Sequence, residues 1–460
     1  MKKHVFFFGN GKSEGNSKMR SVLGSKGAGL AEMTNAKLPV PPGFTIATTA
    51  CKLFFDNGFN FPQNIKNESV RAINKLQKLS GQKFGSTINP LFVSVRSGGS
   101  VSMPGMMDTI LNLGMNDKTV EALARKSNNS KFAYDCYRRF IQMFGNVVMK
   151  VPRESFDDIF YKQKNKRGVK VDSDLSVDNL KKIVSQYKQV IFKKKRQSLP
   201  QDPIKQLDMA RDAVFHSWFN PRAKIYRRLN KIPENLGTAV NVQSMVFGNM
   251  GSDSGTGVGF TRNPSTGDKE FYGEFLMNAQ GEDVVAGIRT PIPIVKLKKK
   301  MPEVYSQLKS ITSNLERYYK DMQDFEFTIQ NKILYMLQTR VAKRTGISAV
   351  KLAVDMVKEG LITKEEAISR IKPSQLDQFL HPVFDETKQF KVAAKGLPAS
   401  PGAGVGRIVF TADDAVRQSK NKPVILVRAE TAPDDIHGMV SANGILTSRG
   451  GMTSHAAVVT

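Results

Sequence analysis

The sequence has few cysteine, histidine and tryptophan residues and no long apolar run. Its 460 residues include 2 Cys, 5 His and 1 Trp. Cys51 and Cys136 provide neither a disulfide framework nor the spacing of a metal site, so we expect ordinary thiols in a reducing cytoplasm. No stretch reaches the roughly 20 apolar residues that cross a bilayer, so no membrane partner is expected. The apolar run 5–8 is too short for a signal peptide and predicts a strand instead.

Acidic residues are scarce relative to basic ones. The chain has 69 Lys and Arg against 41 Asp and Glu, which gives a net charge of +28. Such an excess can indicate a polyanionic partner. The basic residues are scattered, however, with short clusters only at 193–196 and 298–300, and aromatic residues do not interleave with them as on a nucleic-acid surface. We therefore favour solvated basic faces over nucleic-acid binding.

Hydrophobic periodicity predicts a mixture of strands and helices along the chain. The predicted strands are 5–8, 44–47, 92–95, 238–246, 258–261, a pair within 324–340, 405–410, 423–427 and 444–447. The predicted helical regions are 28–34, 115–215 and 344–378. In the longest helical region, apolar residues recur every fourth position and indicate a core-facing stripe. This stripe comprises Phe132, Cys136, Phe140 and Phe144.

Strict alternation places Asp324, Glu326 and Thr328 on one face of a strand. The following strand alternates too and brings Gln338 and Arg340 to one face. A hairpin of these strands would present carboxylates, an amide and a guanidinium side by side. Such a face suits Mg²⁺ bridging nucleotide phosphates, with arginine steadying developing charge. A solvent-exposed polar face is the alternative.

Three glycine-rich segments have the composition of phosphate-binding loops. Lys26 lies among glycines before a helix, where bare backbone donors and one positive charge suit a phosphate. The order is not that of a Walker motif, and a plain turn is the alternative. Arg96 ends an apolar strand and precedes a flexible loop that could close over a nucleotide. The loop 251–257 offers a second cradle of backbone donors.

The segment 450–455 reads GGMTSH and places a histidine after small residues. A neutral imidazole is a competent nucleophile towards phosphorus, and the glycine pair lets backbone approach a phosphate closely. The other histidines lack this setting and are expected to be structural or on the surface. A structural role is also the alternative for His455.

Together these segments resemble the pyruvate, phosphate dikinases of the phosphoenolpyruvate-utilising family. The resemblance is found in 26–33, 40–45, 93–98, 102–112, 137–140, 241–248, 273–291, 430–438 and 450–459. It implies an α/β and α+β multidomain protein with an ATP-grasp nucleotide-binding region and a swivelling phosphohistidine domain. The implied domains are an ATP-grasp N-terminal subdomain (1–112), a helical insertion (113–215), an ATP-grasp C-terminal subdomain (216–342), a helical linker (343–390) and an incomplete phosphohistidine domain (391–460).

The resemblance also implies a reaction and roles for individual residues. A histidine attacks the β-phosphate of ATP and releases AMP, and phosphate then removes the outer phosphoryl group as pyrophosphate. Contacts with ATP are implied for Lys26, Arg96, Gly105, Gln243, Glu282, Asp324, Glu326 and Gln338. Two of these residues, Glu326 and Gln338, are the implied Mg²⁺ ligands. Arg340 is implied to stabilise the transferring group and His455 to carry it.

Regulation is implied as well. Thr453 matches a threonine that a regulatory kinase/phosphotransferase modifies in this family. A phosphate there would place like charge beside the incoming nucleotide and block transfer.

The sequence departs from the family pattern in composition and in length. Ser25 stands where the family usually has Gly, and Gly99-Ser100 replaces a bulkier pair; both are expected to be tolerated. The pyruvate-binding barrel and the last strands of the phosphohistidine domain are missing, so we expect only the ATP and phosphate half-reaction, with a separate chain as one source of the barrel. A non-catalytic remnant is one alternative. A pyruvate, water dikinase-like enzyme is the other, although it typically has Cys where Ser454 stands.

Overall fold

The computed structural model describes residues 3–166, 168, 172–285, 289–380, 385, 387, 391–400, 402–451 and 454–459. The chain divides into two compact units, Met1–Val246 and Phe247–Thr460, each containing helices and sheets. The mixed α/β multidomain class predicted from the sequence is therefore confirmed. No helix in the described ranges is both long and apolar enough to cross a bilayer.

The first unit is built on an antiparallel sheet. Its strands are β1 (Val5–Gly9), β2 (Lys12–Ser13), β3 (Gly43–Ile46), β4 (Lys83–Phe84), β5 (Pro90–Leu91), β6 (Val93–Gly99), β7 (Thr109–Leu113) and β8 (Thr238–Ser244). The six strands of the main sheet have the order β2-β1-β3-β8-β6-β7, and β4 pairs separately with β5. The helices are α1 (Arg20–Asn35), α2 (Thr48–Asp56), α3 (Gln63–Ser80), α4 (Thr119–Ser127), α5 (Ser130–Met143), α6 (Glu154–Lys166), α7 (Val177–Lys195), α8 (Pro203–Ser217) and α9 (Pro221–Leu229).

The helical region of this unit contains the predicted apolar stripe. Phe132, Cys136, Phe140 and Phe144 are all buried, because a four-residue spacing keeps them on one side of α5 and of the π-helical turn Phe144–Val148 that follows. Helix α5 packs against α4 and α7. The helical prediction for 115–215 is thus confirmed.

Strand β8 lies in the centre of the first sheet, between β3 and β6. The sequence assigns this segment to the region 216–342, whereas the boundary between the compact units follows Val246. Periodicity identifies a strand but not its distant partners, which explains the difference. The domain limits proposed from the sequence stay predictions.

The second unit contains two sheets. Its strands are β9 (Gly255–Phe260), β10 (Tyr272–Met277), β11 (Ile292–Pro293), β12 (Gln323–Gln330), β13 (Ile333–Val341), β14 (Arg407–Val409), β15 (Val424–Arg428) and β16 (Gly444–Thr447). An antiparallel sheet has the order β11-β10-β9-β12-β13, and β14-β15-β16 form a parallel sheet. The helices are α10 (Gly281–Val285), α11 (Leu297–Lys300), α12 (Pro302–Tyr319), α13 (Gly346–Lys358), α14 (Lys364–Arg370), α15 (Pro373–Leu376), α16 (Ala412–Ser419), α17 (Ile436–Ser441) and α18 (His455–Val459).

The glycine-rich loop predicted at 251–257 is partly a strand. β9 begins at Gly255 and pairs with β10 on one side and β12 on the other. A side chain at Gly257 would collide with the ring of Phe327, and one at Gly259 with the ring of Phe325. Gly257 therefore serves sheet packing, which corrects the interpretation for 255–257, and the cradle of backbone donors stays a prediction for 251–254.

Candidate functional site

The turn before Lys26 is shaped by a glycine. Helix α1 starts earlier than the predicted 28–34 and is interrupted at Gly24, whose φ of 68° lies in the left-handed region. A side chain at Gly24 would collide with the carbonyl of Gly98 on β6. The Ser25 hydroxyl donates to the carbonyl oxygen of Gly99 at 2.9 Å, so the serine at this position has a bonding role. Lys26 is half-buried in the first turn after the break, where backbone donors face outwards.

Arg96 and Gln243 are brought together by the pairing of β6 with β8. The antiparallel register sets Arg96 opposite Asn241 and Ser94 opposite Gln243. Gln243 Oε1 accepts a hydrogen bond from Arg96 Nη2 at 2.5 Å, and Gln243 Nε2 donates to the Pro41 carbonyl at 2.9 Å. The amide is therefore fixed from both ends and orients the guanidinium. Nothing in the sequence indicates this pairing.

Gly105 lies on the loop that follows β6, in an exposed turn with a φ of 70°. The far end of this loop is anchored by Asp108, which is buried and forms an ion pair with Arg222 of α9. The amide of Asp108 also donates to Ser217 Oγ at 3.2 Å. The loop thus has one anchored end, with Met103 and Met106 buried on either side of the exposed Gly105.

The hairpin predicted at 324–340 is present, and its register brings four polar side chains together. Asp324 pairs with Arg340 across the two strands, and Glu326 with Gln338. Arg340 Nε donates to both oxygens of Asp324, at 2.8 and 2.6 Å, and Gln338 Nε2 donates to Glu326 Oε1 at 2.8 Å. Their apolar neighbours Phe325, Phe327 and Ile329 are buried as predicted. Alternation alone therefore identified both faces.

Charges in the hairpin are shielded from water. The side chains of Asp324 and Arg340 are 13% and 31% exposed. Burial raises the pKa of Asp324 to about 6, and the contact with Arg340 opposes this shift. The charge of nearby Lys343 also favours the ionised carboxyl. The guanidinium of Arg340 is thus held in place by the largely buried carboxyl of Asp324.

The pair formed by Glu326 and Gln338 fits a magnesium ion. Gln338 Oε1 is buried and accepts no hydrogen bond from the described residues. Mg²⁺ prefers oxygen ligands and is usually held by one or two carboxylates together with substrate phosphates and water. In the described part of the chain there is no group of 3 or more His, Cys, Asp or Glu able to hold a metal.

One carboxylate on the same face was missed by sequence reasoning. Glu274 on β10 aligns with Val258 on β9, which aligns with Glu326. Directly opposed residues point to the same side of an antiparallel sheet, so Glu274 and Glu326 share a face. Register between distant strands carries no local signal, and Glu274 could not have been placed from its neighbours. Glu282, by contrast, lies half-buried on α10.

His455 lies beyond the carboxyl end of the parallel sheet, at the start of α18. Its Nδ1 is 3.0 Å from the hydroxyl of Thr431, a buried residue three positions after β15. This contact fixes the orientation of the ring. A hollow surrounds the imidazole and is lined by Glu430, Thr431, Thr447, Arg449, Gly450, Ser454, His455 and Ala456. Thr453, the predicted regulatory position, lies outside the described residues.

Fold and site together define a mixed α/β multidomain protein with a polar hairpin in an antiparallel sheet and a histidine beyond the carboxyl end of a parallel sheet. The family described as "Pyruvate phosphate dikinase, AMP/ATP-binding domain" matches residues 20–60 and 57–308, and "PEP-utilising enzyme, mobile domain" matches residues 420–460. The chain belongs to the pyruvate, phosphate dikinase family. The resemblance found in the sequence is thereby confirmed.

Curated relatives match over nearly the whole chain. Pyruvate, phosphate dikinase 1, chloroplastic, of Arabidopsis thaliana is 56% identical over 99% of this chain and 48% of its own length. The pyruvate, phosphate dikinases of Rickettsia typhi and Rhizobium meliloti are 53% and 54% identical over 100% of this chain, which covers 53% of each. The chain spans about half the length of the curated relatives it matches.

Proposed function

We propose that this chain carries the ATP and phosphate half-reaction of a pyruvate, phosphate dikinase, with an ATP-grasp region that donates to His455. The observation that supports this best is the hairpin, where a buried amide oxygen without a hydrogen bond lies beside Glu326. An unsatisfied buried acceptor is costly to stability. Its retention is explained if a cation completes its coordination.

The proposed reaction has two steps. The lone pair of His455 Nε2 forms a bond to the β-phosphorus of ATP, while the bond from that phosphorus to the oxygen bridging it to the α-phosphate breaks and AMP leaves with the electron pair. An oxygen of inorganic phosphate then attacks the outer phosphorus, and pyrophosphate leaves the phosphorylated histidine. Thr431 supports Nε2 as the reacting atom, because its contact engages Nδ1.

Residue roles follow from chemistry and position. Lys26 and Arg96 bind phosphate oxygens, since a lysine at a helix start and a fixed guanidinium suit such groups. Gln243 orients Arg96, while Gly105 and Glu282 contact the nucleotide. Arg340 neutralises charge that develops on the transferring group, and Asp324 holds that arginine in place.

Magnesium is the proposed cofactor. Glu326 and Gln338 would hold it, and when bound it would neutralise phosphate charge. The protein residues supply the geometry: Gln338 Nε2 fixes the carboxylate of Glu326, so that both side-chain oxygens are already oriented before a ligand arrives.

The wider reaction is proposed by analogy with the relatives. In the complete enzyme, phosphohistidine passes its phosphoryl group to pyruvate in a barrel that is part of the same or a separate chain. The domain limits 1–112, 113–215, 216–342, 343–390 and 391–460 form part of this proposal. So do a cytoplasmic location and regulation through Thr453.

Labelling tests the half-reaction directly. Incubation with Mg²⁺ and ATP labelled in the β-phosphate should leave acid-labile label on the wild-type chain and none on His455→Asn. His437→Asn is the matched control, because His437 lies in the same domain and its ring contacts Asp413 at 3.0 Å rather than lining the hollow around His455. It should label normally. A folded wild-type chain that takes up no label would overturn the proposal.

A phosphate dependence separates this reaction from that of a water-using relative. With ATP labelled in the γ-phosphate, added inorganic phosphate should move the label from the protein into pyrophosphate. Release of labelled inorganic phosphate without added phosphate would instead indicate that water is the acceptor.

A further inference from the structure

Arg449 is a basic residue close to the reacting histidine that neither the motif analysis nor the proposed roles have used. It is exposed and lines the same hollow as His455. Among the described residues that line the hollow, it is the only lysine or arginine, and Glu430 is the only carboxylate. Arg449 is therefore the strongly basic residue of this lining that is available to a negatively charged group on the imidazole.

The backbone of Arg449 is held by the strand that also positions the histidine. Ser448 donates its amide to the Arg428 carbonyl at 3.1 Å, and Arg449 donates its amide to the Ala429 carbonyl at 3.0 Å. Two residues after Ala429, Thr431 contacts the imidazole. The short segment following β15 thus contacts both the backbone of Arg449 and the ring of His455, which lie in the same parallel-sheet domain.

We propose that Arg449 binds the outer phosphoryl group of pyrophosphorylated His455. This inference rests on the proposed function. A phosphoryl group carries a charge of about −1.5 to −2 near neutral pH, and a pyrophosphoryl group extends further from the ring. A planar guanidinium binds phosphate oxygens in a forked geometry and stays charged at all working pH values. The hydroxyl-bearing residues Thr447 and Ser454 line the same hollow and complete a polar surround.

Arg449 belongs to the same domain as His455, so this domain supplies its own cation to the modified histidine. Cations of the nucleotide-binding sheets, such as Arg340, act only while the imidazole is beside ATP. Arg449 remains with the modified histidine after AMP has left, and therefore stabilises the intermediate rather than the binding of ATP. Loss of Arg449 should lower the amount of pyrophosphorylated protein at equilibrium, at a fixed ratio of ATP to AMP, without changing the dissociation constant for ATP.

Two labels on the full chain measure the modified histidine, and the shift of the unfolding midpoint with ATP concentration measures the dissociation constant for ATP. ATP labelled in the γ-phosphate, without inorganic phosphate, reports the outer phosphoryl group, and ATP labelled in the β-phosphate reports every modified histidine. For Arg449→Met, γ-label at equilibrium should fall about 10- to 100-fold, the effect expected for a hydrogen-bonded charge pair. Arg449→Lys, which keeps the charge but loses the fork, should recover part of the label.

Arg417→Met is the matched control. Arg417 is an exposed arginine of the same domain that pairs with Asp414 and does not line the hollow. It should label as the wild type does. Thermal unfolding of each variant checks the fold, and Arg449→Lys keeps the test decisive if the methionine variant is unstable.

The inference is overturned if Arg449→Met labels like the wild type, if its loss of label is accounted for by a higher dissociation constant for ATP, or if Arg417→Met loses as much label. A wild-type chain that takes no label from either ATP refutes the proposed function and this inference with it. Label on the wild type together with normal label on both Arg449 variants refutes this inference alone.

Discussion

Gln338 in the hairpin shows how a candidate site residue can be kept at a cost to the stability of the fold. The buried Gln338 Oε1 accepts no hydrogen bond from the described residues, while its Nε2 donates to Glu326 at 2.8 Å. The folded chain therefore tolerates one unsatisfied acceptor at a position where leucine would fit by size. Such a conflict between packing and polarity is typical of functional positions.

Gln338→Leu should separate stability from ligand binding. The change removes an unsatisfied acceptor and one hydrogen bond, which nearly offset each other, so the unfolding midpoint should stay within about 4 °C. The wild type should gain stability from Mg²⁺ and ATP, whereas the variant should not, because it lacks the ligand oxygen. Thermal unfolding with and without Mg²⁺-ATP measures both effects. An equal ligand-induced gain in the two proteins would contradict the metal role of Gln338.

Sequence reasoning at the residue scale succeeded where the signal is local. Alternation placed Asp324 with Glu326 and Gln338 with Arg340, because side-chain direction in a strand depends only on parity. It could not pair Arg96 with Gln243, nor His455 with Thr431, because these contacts join residues from distant strands and loops. Motif resemblance supplied candidate positions but not the bonds that orient them.

At the scale of elements, a buried arginine joins three parts of the second unit. Arg262 follows β9 and is fully buried. Its guanidinium donates to Glu316 of α12 at 2.9 Å and to Glu359, which follows α13, at 2.9 Å. The helix that begins the predicted linker is thereby tied to the sheet. The apolar residues Leu352 and Met356 of α13 are also buried, in the same cluster as Met322.

Arg262→Ala should destabilise the second unit strongly. Removing the arginine leaves the buried carboxylate of Glu316 without its counter-charge, which costs about 3 kcal/mol or more. Lys269→Ala is the matched control, because Lys269 contacts the same Glu359 at 2.7 Å but is 61% exposed. It should cost less than about 1 kcal/mol. Urea unfolding of both variants provides the comparison, and similar losses would contradict a special role for the buried arginine.

A histidine that can change protonation state lies in the contact between α2 and α8. His216 of α8 stacks on Phe59 with a centroid distance of 4.7 Å and meets Phe54 edge-on at 5.2 Å. Burial lowers the pKa of His216 below its ordinary value of 6.5, and Lys150 contributes in the same direction. The folded state thus favours the neutral ring, while the unfolded state binds the proton more readily.

This difference predicts a pH dependence of stability. The contribution of His216 is present above pH 6.5, the ordinary value, and is lost as the pH falls through the lower pKa of the folded state. His216→Phe keeps an aromatic ring and should therefore lose less stability than the wild type between pH 8 and pH 5. Denaturation midpoints across that range measure the difference. Parallel pH profiles of the two proteins would contradict it.

At the scale of elements, the sequence predicted whether a segment is a helix or a strand better than it predicted where that element begins and ends. The alternating and helical periods identified β12, β13 and α13, because these depend on patterns of nearby residues. The start of α1 was wrong, since a helix broken at Gly24 resembles a turn in sequence. The strand predicted at 405–410 is confined to Arg407–Val409, because its exposed apolar flanks give the same signal as paired residues.

At the scale of the whole molecule, the chain carries a large excess of positive charge. The sequence contains 69 basic and 41 acidic residues, so its net charge stays at +28 however many ion pairs form. Like charges at the surface repel one another in the folded chain more than in the expanded unfolded chain. The family relationship explains the fold and the site but requires no such charge.

Added salt should therefore stabilise the protein. The Debye length falls from about 30 Å at 0.01 M to about 8 Å at 0.15 M ionic strength, so salt screens long-range repulsion first. Surface ion pairs lose strength as well, but each contributes little. The unfolding midpoint in sodium chloride should rise between these concentrations, and potassium chloride should have the same effect, because screening depends on ionic strength. A midpoint that falls with salt would show that attractive pairs outweigh the net charge of +28.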